Sequence, residues 1–339
     1  MRRWRARDDE EEHVEIGLIT DSLGHLPLGE VLDVAAHLGL DQVEIATGNW
    51  SQAPHVDLPA LVSGPGPRRE LLSQVRDRGL VLGALNANGN QLHPQTGPAH
   101  DAVVRDTIRA AALMDVPTVV LMSGLPGGAP GDATANWVTT AWPPENLRTL
   151  TCQWDEVALP YWRDLAALAH QHGVRLAVEA CGAQLVHDVS GLLRLVEHVA
   201  DAVGEGVVGA NLNPSHLMWM GADIPSVIGA LGAHITHVHA KDVRTNHGPA
   251  ARDGLLDTTD ITRPGDRAWN YVTLGLGHPR GATFWADVVY HLRAAGYDGV
   301  LSIEHEDALV SSREGVERAA TLLKQVALRA PADWRPAAV

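Results

Sequence analysis

The sequence contains little of what marks a secreted, membrane-spanning or nucleic-acid-binding protein. Only two cysteines, Cys152 and Cys181, occur in 339 residues, which excludes a disulfide framework and predicts a reducing compartment. No run of about 18 apolar residues is present, so a membrane span is not expected. The 26 Lys and Arg are outnumbered by 41 Asp and Glu, and the formal charge of −15 disfavours nucleic acid, whose phosphates require clustered basic side chains.

The beginning of the chain also lacks the pattern of a secretory leader. Residues 1–5 are basic, but the acidic block 8–12 follows where a leader would be apolar. We therefore expect a cytoplasmic protein. Residues 1–13 are predicted to form a flexible charged tail, and residues 331–339 a second, loose tail.

Between these tails, β-rich runs alternate with helical ones. The hydrophobic fraction of 45% is that of a globular protein, and eight β-rich runs are each followed by apolar residues at helical spacing. This alternation predicts an α/β protein, and eight units on one core favour a (β/α)8 TIM barrel, a single domain over residues 14–330. A doubly wound sheet would require a Gly-rich phosphate loop after the first strand, which residues 21–24 do not provide.

Two long excursions interrupt the pattern, at residues 124–160 and 243–281. The first is rich in Gly, Pro and Trp and is too long for a simple βα loop, so we expect it to form a lid or a pocket wall. Its Trp142 is predicted to stack on a sugar face or an aromatic aglycone, although buried tryptophan is commonly packing.

The last four β-rich runs each bring a polar side chain to a strand end. In a parallel barrel the carboxyl ends of the strands form one face, so these side chains are expected to converge. One imidazole and three oxygen donors suit a divalent ion, Mn²⁺ first, with Mg²⁺ and Co²⁺ as alternatives and Zn²⁺ preferring more nitrogen or sulfur. The predicted metal ligands are Glu179, Asn213, His239 and Glu304.

Asn213, His239 and Glu304 belong to longer motifs, in residues 213–217, 237–242 and 302–307, and a fourth motif covers residues 86–94. On these motifs the chain resembles the sugar phosphate isomerase/epimerase family of xylose-isomerase-like TIM barrels, over nearly its whole length. The resemblance implies that the metal sits on the ends of strands five to eight, at the four residues above. It also implies that His216 touches the sugar.

The chain departs from that family at two positions. Relatives generally carry Asp where this chain has Asn213, which removes one negative charge and should weaken metal binding. Many relatives carry Glu-x-His-Pro where this chain has Glu179-Ala-Cys181-Gly182, which removes an imidazole that acts as an acid or a base.

The implied chemistry assigns roles to the carboxylates. Isomerising or epimerising a sugar requires removing a proton from the carbon next to a carbonyl, and that C–H bond is a very weak acid. A divalent ion stabilises the resulting enediolate, and a carboxylate on each side of the carbon passes the proton out and back. We predict these catalytic roles for Glu179 and Glu304. Lys241 and Arg244 are predicted to bind an oxyanion or a phosphate.

Smaller polar signals support weaker predictions. His93 and the Asn-rich run before it, including Asn88, are predicted to contact sugar hydroxyls, although Asx turns would explain the asparagines equally well. His237 is expected to face away from His239 and to have a structural or supporting role.

Three functions remain open from the sequence. The first is a metal-dependent sugar isomerase or epimerase. The second is a lyase that cleaves a 3-keto-glycoside, including a C-glycoside, by β-elimination on the same barrel. The third is a metal-free sugar-binding or subunit protein, favoured by Asn213 and Cys181. The expected partner is a small sugar or glycoside, and the chain is expected to form a homo-oligomer or to bind a small partner subunit.

Overall fold

The computed structural model describes residues 14–330 and 333–334, so the tail predicted at residues 1–13 lies outside the described residues, as does most of the one at 331–339. The strands are β1 (Glu15–Ile19), β2 (Gln42–Ala46), β3 (Val81–Asn86), β4 (Thr118–Met122), β5 (Arg175–Glu179), β6 (Val208–Leu212), β7 (Ile235–Ala240), β8 (Asp242–Thr245), β9 (Trp269–Val272) and β10 (Val300–Ile303).

Eight of these strands close into a barrel. Strands β1 to β7 follow one another around it, and β10 pairs with both β7 and β1, every pair being parallel. Strands β8 and β9 form a separate antiparallel hairpin. The predicted single-domain (β/α)8 TIM barrel is confirmed, and the hairpin arises within the second excursion.

The helices surround the barrel. They are α1 (Leu28–His37), α2 (Leu58–Ser63), α3 (Pro65–Arg76), α4 (Gly97–Leu113), α5 (Glu145–Thr151), α6 (Leu159–His172), α7 (Val189–Ala202), α8 (Pro214–Trp219), α9 (Ile224–Leu231), α10 (His247–Asp253), α11 (Ala282–Ala294) and α12 (Ser312–Val326). None of the helices in residues 14–330 is long and apolar enough to cross a membrane.

Some of the outer helices begin at a capping side chain that precedes an apolar stripe. Asp188 caps α7 by accepting a hydrogen bond from the amide of Gly191, and Ser311 caps α12 in the same way. In α7 the buried residues recur at intervals of three and four, so one face of the helix packs on the barrel. They are Leu192, Leu195, Val196 and Val199.

The first excursion is more helical than its composition indicates. Residues 145–172 form one helical run, in which a wider helical turn at Cys152–Ala158 joins α5 to α6. Pro160 lies in the first turn of α6, where its missing amide hydrogen breaks the regular hydrogen-bond pattern. The sequence predicts a helix only over residues 162–173, because the Gly-, Pro- and Trp-rich composition up to Pro160 is typical of a loop.

The inside of the barrel changes from small and apolar to polar along its axis. Ala84, Val120 and Ala177 form a buried cluster separate from the main core between strands and helices. Two residues beyond Ala84 and Ala177, on the same strand faces, stand Asn86 and Glu179. The polar site therefore rests on a floor of small side chains.

Candidate metal and substrate site

The four predicted ligands converge at the carboxyl ends of the barrel strands. Glu179 is the last residue of β5, Asn213 directly follows β6, His239 lies near the end of β7, and Glu304 directly follows β10. The side chains of the first three are buried. The side chain of Glu304 is 14% exposed, so among the four ligands it is the one that solvent reaches. The structure thus brings together residues that are up to 125 positions apart in the chain (304 − 179).

The imidazole of His239 lies between two carboxylates. Its Nδ1 is 2.9 Å from Oε2 of Glu179 and 3.2 Å from Oε2 of Glu304. Within residues 14–330 this buried nitrogen has no partner with hydrogen-bond geometry. The three ligand atoms lie within 4.8 Å of one another, which is the spacing of a cation site. A divalent ion would satisfy the nitrogen and neutralise both carboxylates, so the donor set fits a metal.

Asn213 completes this group through its amide. Its Nδ2 donates to Oε2 of Glu304 at 2.8 Å and to Oε1 of Glu179 at 3.4 Å, while its Oδ1 accepts from Oγ of Ser215 at 2.8 Å. A cation bound among these residues would require the amide of Asn213 to be reversed, with Oδ1 facing the carboxylates in place of Nδ2. A serine hydroxyl both donates and accepts, so the reversed amide keeps its contact with Ser215.

Below these ligands lies a carboxylate that the sequence analysis missed. Glu44, in the middle of β2, is 2% exposed and accepts from Nε2 of both His237 and His239. The expectation that His237 faces away from His239 is wrong, because side chains two positions apart on a strand share a face. A charged residue inside an otherwise apolar, buried strand was the signal available in the sequence.

His216 connects the ligand group to the hairpin. It stands in α8, three residues after Asn213, and its Nε2 lies 2.9 Å from Oε1 of Glu179. Its Nδ1 lies 2.7 Å from the hydroxyl of Tyr271 and 3.5 Å from Sγ of Cys181. Tyr271, on β9, was also missed, because its place beside the site depends on the hairpin.

Lys241 is a buried cation on the other side of Glu304. Its Nζ lies 3.0 Å from Oε1 of Glu304 and 2.5 Å from Oε2 of Glu306, and it stacks over the ring of Tyr271 at 4.1 Å. The side chain of Lys241 is 2% exposed, whereas that of Glu306 is 55% exposed. The buried ammonium group of Lys241 therefore forms an ion pair with Glu304 and fixes the position of its carboxylate.

The charges of the site stabilise one another in their ionised forms. Burial acts to raise the pKa of Glu304, but Lys241 and His239 outweigh burial and hold it at about 2. The pKa of Glu179 is likewise well below its usual range, because His239 and His216 outweigh desolvation. Burial acts to lower the pKa of Lys241, which its carboxylate neighbours nevertheless raise. Both carboxylates are ionised at neutral pH, as metal binding and base catalysis require.

The remaining predicted substrate residues lie at varying distances from this group. Nδ2 of Asn88 is 3.5 Å from Oε2 of Glu179, at the edge of the cluster. His93 accepts hydrogen bonds from backbone amides of its own loop. Arg244 is exposed and donates to the carbonyl of Leu276, and Trp142 is 74% exposed. The contacts of His93, Arg244 and Trp142 thus lie outside the cluster, and their substrate roles stay predictions.

An aromatic stack lies beside Gly182. Trp219 stacks on Trp269 with ring centroids 4.6 Å apart and planes at 9°. A β-carbon on Gly182 would lie 2.4 Å from Cζ2 of Trp219. The proline of a His-Pro pair at positions 181 and 182 would therefore collide with Trp219. The position of this tryptophan requires glycine at residue 182.

The sequence profile of one family, described as xylose isomerase-like TIM barrel, matches residues 32–326. The chain belongs to this family. It is 41% identical over 316 residues to the uncharacterized protein YfiH of Bacillus subtilis (strain 168), an alignment that covers 92% of this chain and 99% of YfiH. The resemblance found in the sequence motifs is thereby confirmed.

Solved structures share the fold at lower identity. The probable 3-DHS dehydratase AsbF of Bacillus anthracis superposes with a TM-score of 0.64 at 15% identity, covering 92% of this chain and 99% of that one. The IOLI protein with a bound zinc atom gives 0.63 at 18%, covering 92% and 98%. D-allulose 3-epimerase from Methylomonas sp. in complex with D-allulose gives 0.58 at 14%, covering 93% and 98%. At these identities the likeness shows the fold alone.

Proposed function

We propose that the protein is a metal-dependent sugar isomerase or epimerase that removes a proton from the carbon next to a carbonyl. One observation carries the proposal: Nδ1 of His239, which has no hydrogen-bond partner among residues 14–330, lies between the carboxylates of Glu179 and Glu304 at the mouth of the barrel. These three residues and the amide oxygen of Asn213 would hold the ion, with Mn²⁺ as the first candidate and Mg²⁺, Co²⁺ or Zn²⁺ as alternatives. The ion would polarise the substrate carbonyl and stabilise the negative charge of the enediolate.

The two carboxylates supply the proton transfer. Glu304 takes the proton from the carbon, the C–H electron pair enters the enediolate, and the carboxylate becomes a carboxylic acid. Glu179, on the other side of His239, takes a proton from solvent and delivers it to the opposite face in epimerisation or to the neighbouring carbon in isomerisation. Glu304 releases its proton to solvent, so both carboxylates end the cycle ionised. Lys241 holds Oε1 of Glu304 and keeps this base ionised and oriented between turnovers.

His216 and its neighbours would bind the sugar. With one nitrogen on Glu179 and the other at the hydroxyl of Tyr271, the ring is fixed at the edge of the ligand group. Asn88 is at the same edge. Such fixed polar groups orient a polyhydroxylated substrate without reorganisation during the reaction.

The structures that share the fold support this proposal, but the proposal rests on the geometry of the site. One structure with the same fold holds D-allulose and is named a 3-epimerase, and another holds zinc. Those ligands belong to those proteins. They indicate that a barrel of this shape accommodates both a sugar and a metal.

A lyase is the second candidate, because the same enolate can expel a leaving group from the β-carbon. The aromatic stack of Trp219 and Trp269 beside Gly182 favours a flat ring on the leaving group, such as the aglycone of a 3-keto-glycoside. A dehydratase of the same fold eliminates water rather than an aglycone, according to its name.

Solvent deuterium exchange tests the proposal. The metal-free protein is incubated in D2O with Mn²⁺ and a panel of ketoses, and NMR follows deuterium entering the carbon next to the carbonyl. We expect exchange with Mn²⁺ and none with EDTA. A parallel incubation with a 3-keto-glycoside, followed by chromatography, detects aglycone release and would favour the lyase. Sugar binding without exchange under any of the four metals would instead favour the non-catalytic function.

A further inference from the structure

Glu44 is a buried carboxylate to which the proposed reaction gives no role. It lies on β2, on the opposite side of the barrel from the strands that carry the ligands. Its two oxygens accept hydrogen bonds from four side chains of β3, β7 and β10. These donors are Asn86 at 2.8 Å, His237 at 2.8 Å, His239 at 3.1 Å to both oxygens, and Ser302 at 3.2 Å.

These contacts determine which nitrogen of His239 carries hydrogen. An ionised carboxylate only accepts hydrogen bonds, so Nε2 of His239 must be the donor to Glu44. A histidine that binds a metal ion does so through one nitrogen and keeps its hydrogen on the other, so the nitrogen that faces the ion bears a lone pair. That nitrogen is Nδ1, the atom that lies between Glu179 and Glu304 without a hydrogen-bond partner in the described part of the chain.

We propose that Glu44 is a positioning residue that fixes the tautomer and the ring orientation of His239, so that Nδ1 is presented to a divalent ion. The inference rests on the metal-dependent function proposed above and extends it to a residue that touches neither ion nor substrate. Asn86, His237 and Ser302 hold Glu44 itself, because they fill the acceptor sites that His239 leaves.

A second ion in the lower cluster is the competing explanation. Glu44, His237 and His239 also offer ligand atoms within 4.8 Å of one another. However, each imidazole nitrogen that faces Glu44 already lies at hydrogen-bond distance from it. A neutral His239 has one lone pair to offer, so the upper and lower clusters compete for it. The arrangement therefore predicts one ion per chain, at Nδ1.

Metal titration of a variant that lacks the negative charge of Glu44 tests the role of this residue. Glu44→Gln keeps the size, but its amide offers one acceptor oxygen to two imidazole N–H groups and adds a donor of its own. We expect calorimetry to give one Mn²⁺ per wild-type chain and an affinity about 10–100-fold lower in Glu44→Gln. Asp242→Asn is the matched control: Asp242 is buried and accepts from Trp285 and loop amides, none of them a candidate ligand. It should lose stability and keep its affinity.

A spectroscopic readout separates positioning from a general structural effect. In the metal-free wild type, at a pH high enough to make His239 neutral, ¹⁵N NMR of the histidine side chains should report His239 with hydrogen on Nε2. In Glu44→Gln a substantial fraction should carry hydrogen on Nδ1 instead, whereas Asp242→Asn should match the wild type. If Glu44→Gln does not fold, His237→Gln replaces one donor to Glu44, leaves the hydrogen bonds between Glu44 and His239 in place, and should show a smaller change of the same kind.

The outcomes that overturn the inference differ from those that overturn the proposed function. Equal Mn²⁺ affinity and the same tautomer in wild type and Glu44→Gln would reject the role of Glu44 and leave the metal-dependent function standing. Two ions per wild-type chain would also reject it, in favour of a lower metal site. A wild type that binds none of the four metals would reject the proposed function, and the role of Glu44 with it.

Discussion

The amide nitrogen of Asn213 donates a hydrogen bond of 2.8 Å to Oε2 of Glu304, the carboxylate oxygen that also faces His239. In this arrangement the amide stabilises the carboxylate where an aspartate would repel it. A carboxylate at position 213 would make the ligand group depend more strongly on a cation. We therefore expect Asn213, compared with an aspartate at this position, to lower the affinity for a metal ion and to raise the stability of the metal-free protein.

We expect Asn213→Asp to bind Mn²⁺ more tightly than the wild type, by roughly one to three decades. One unit charge pair at ~4 Å in an effective dielectric of ~20 contributes about 4 kcal/mol, and desolvation of the new carboxylate offsets part of it. The metal-free variant should unfold at lower temperature than the metal-free wild type. Calorimetric titration and thermal unfolding measure the two effects, and equal affinities would mean that residue 213 is not a ligand.

Glu304→Gln should abolish proton exchange while leaving the fold intact. The variant keeps the side-chain size but removes the base, and loss of a general base costs about 10²–10⁴-fold in rate. Deuterium entry into the substrate is the measurement. Glu306→Gln is the control, because Glu306 contacts the same Lys241 from an exposed position. Exchange at the wild-type rate in Glu304→Gln would assign the base elsewhere.

Acid should destabilise the metal-free protein through the same carboxylate. The pKa of Glu304 falls from 4.5 to about 2 on folding, so the unfolded chain binds more protons between these pH values. Stability is then fully present above about pH 4.5 and is lost as the pH falls towards 2, with a slope of about 1.4 kcal/mol per pH unit for one such group. Urea unfolding across this range should give a shallower slope for Glu304→Gln. An unchanged slope would contradict the depressed pKa.

The convergence of the four strand-end residues is predictable from the sequence for a simple reason. In a parallel barrel every strand runs in the same direction, so a polar residue at the end of any strand reaches the same face. The convergence of Glu179 and Glu304 can therefore be predicted without knowing which strands pair with each other. The helices with a capping residue and a regular apolar stripe, such as α7 and α12, are predictable in the same local way.

The residues that were missed depend on contacts that are distant in sequence. Glu44 meets His239 across 195 positions, and only the closed barrel tells a buried, paired glutamate from a surface one. Tyr271 reaches His216 because β8 and β9 pair within the second excursion. The Gly- and Pro-rich composition of that excursion is typical of a loop, so the sequence does not predict the hairpin. The helix at residues 145–172 was predicted only from residue 162 for a local reason: Pro160 lacks the amide hydrogen that a regular helix interior needs, and the wider turn at Cys152–Ala158 accommodates it.

The hydroxyl of Tyr271 leads to the last prediction. It lies 2.7 Å from Nδ1 of His216, and the ring packs edge-to-face on His216 with centroids 5.4 Å apart. Tyr271→Phe removes the hydroxyl and keeps the ring, including its contact with Lys241. His216 then keeps Glu179 as partner on Nε2 and loses the hydroxyl that fixes Nδ1.

We expect Tyr271→Phe to lower kcat for the exchange reaction by roughly one to two decades. A buried polar atom left unsatisfied costs about 1–3 kcal/mol, and about 1.4 kcal/mol corresponds to one decade in rate. Tyr161→Phe is the matched control, because Tyr161 donates a hydrogen bond of the same 2.7 Å length to Asp101, away from the site. Both variants should lose similar stability in thermal unfolding, and only Tyr271→Phe should lose rate. If both variants keep the wild-type kcat, the hairpin covers the site without taking part in it, and Glu179 and Cys181 hold His216 sufficiently without the hydroxyl.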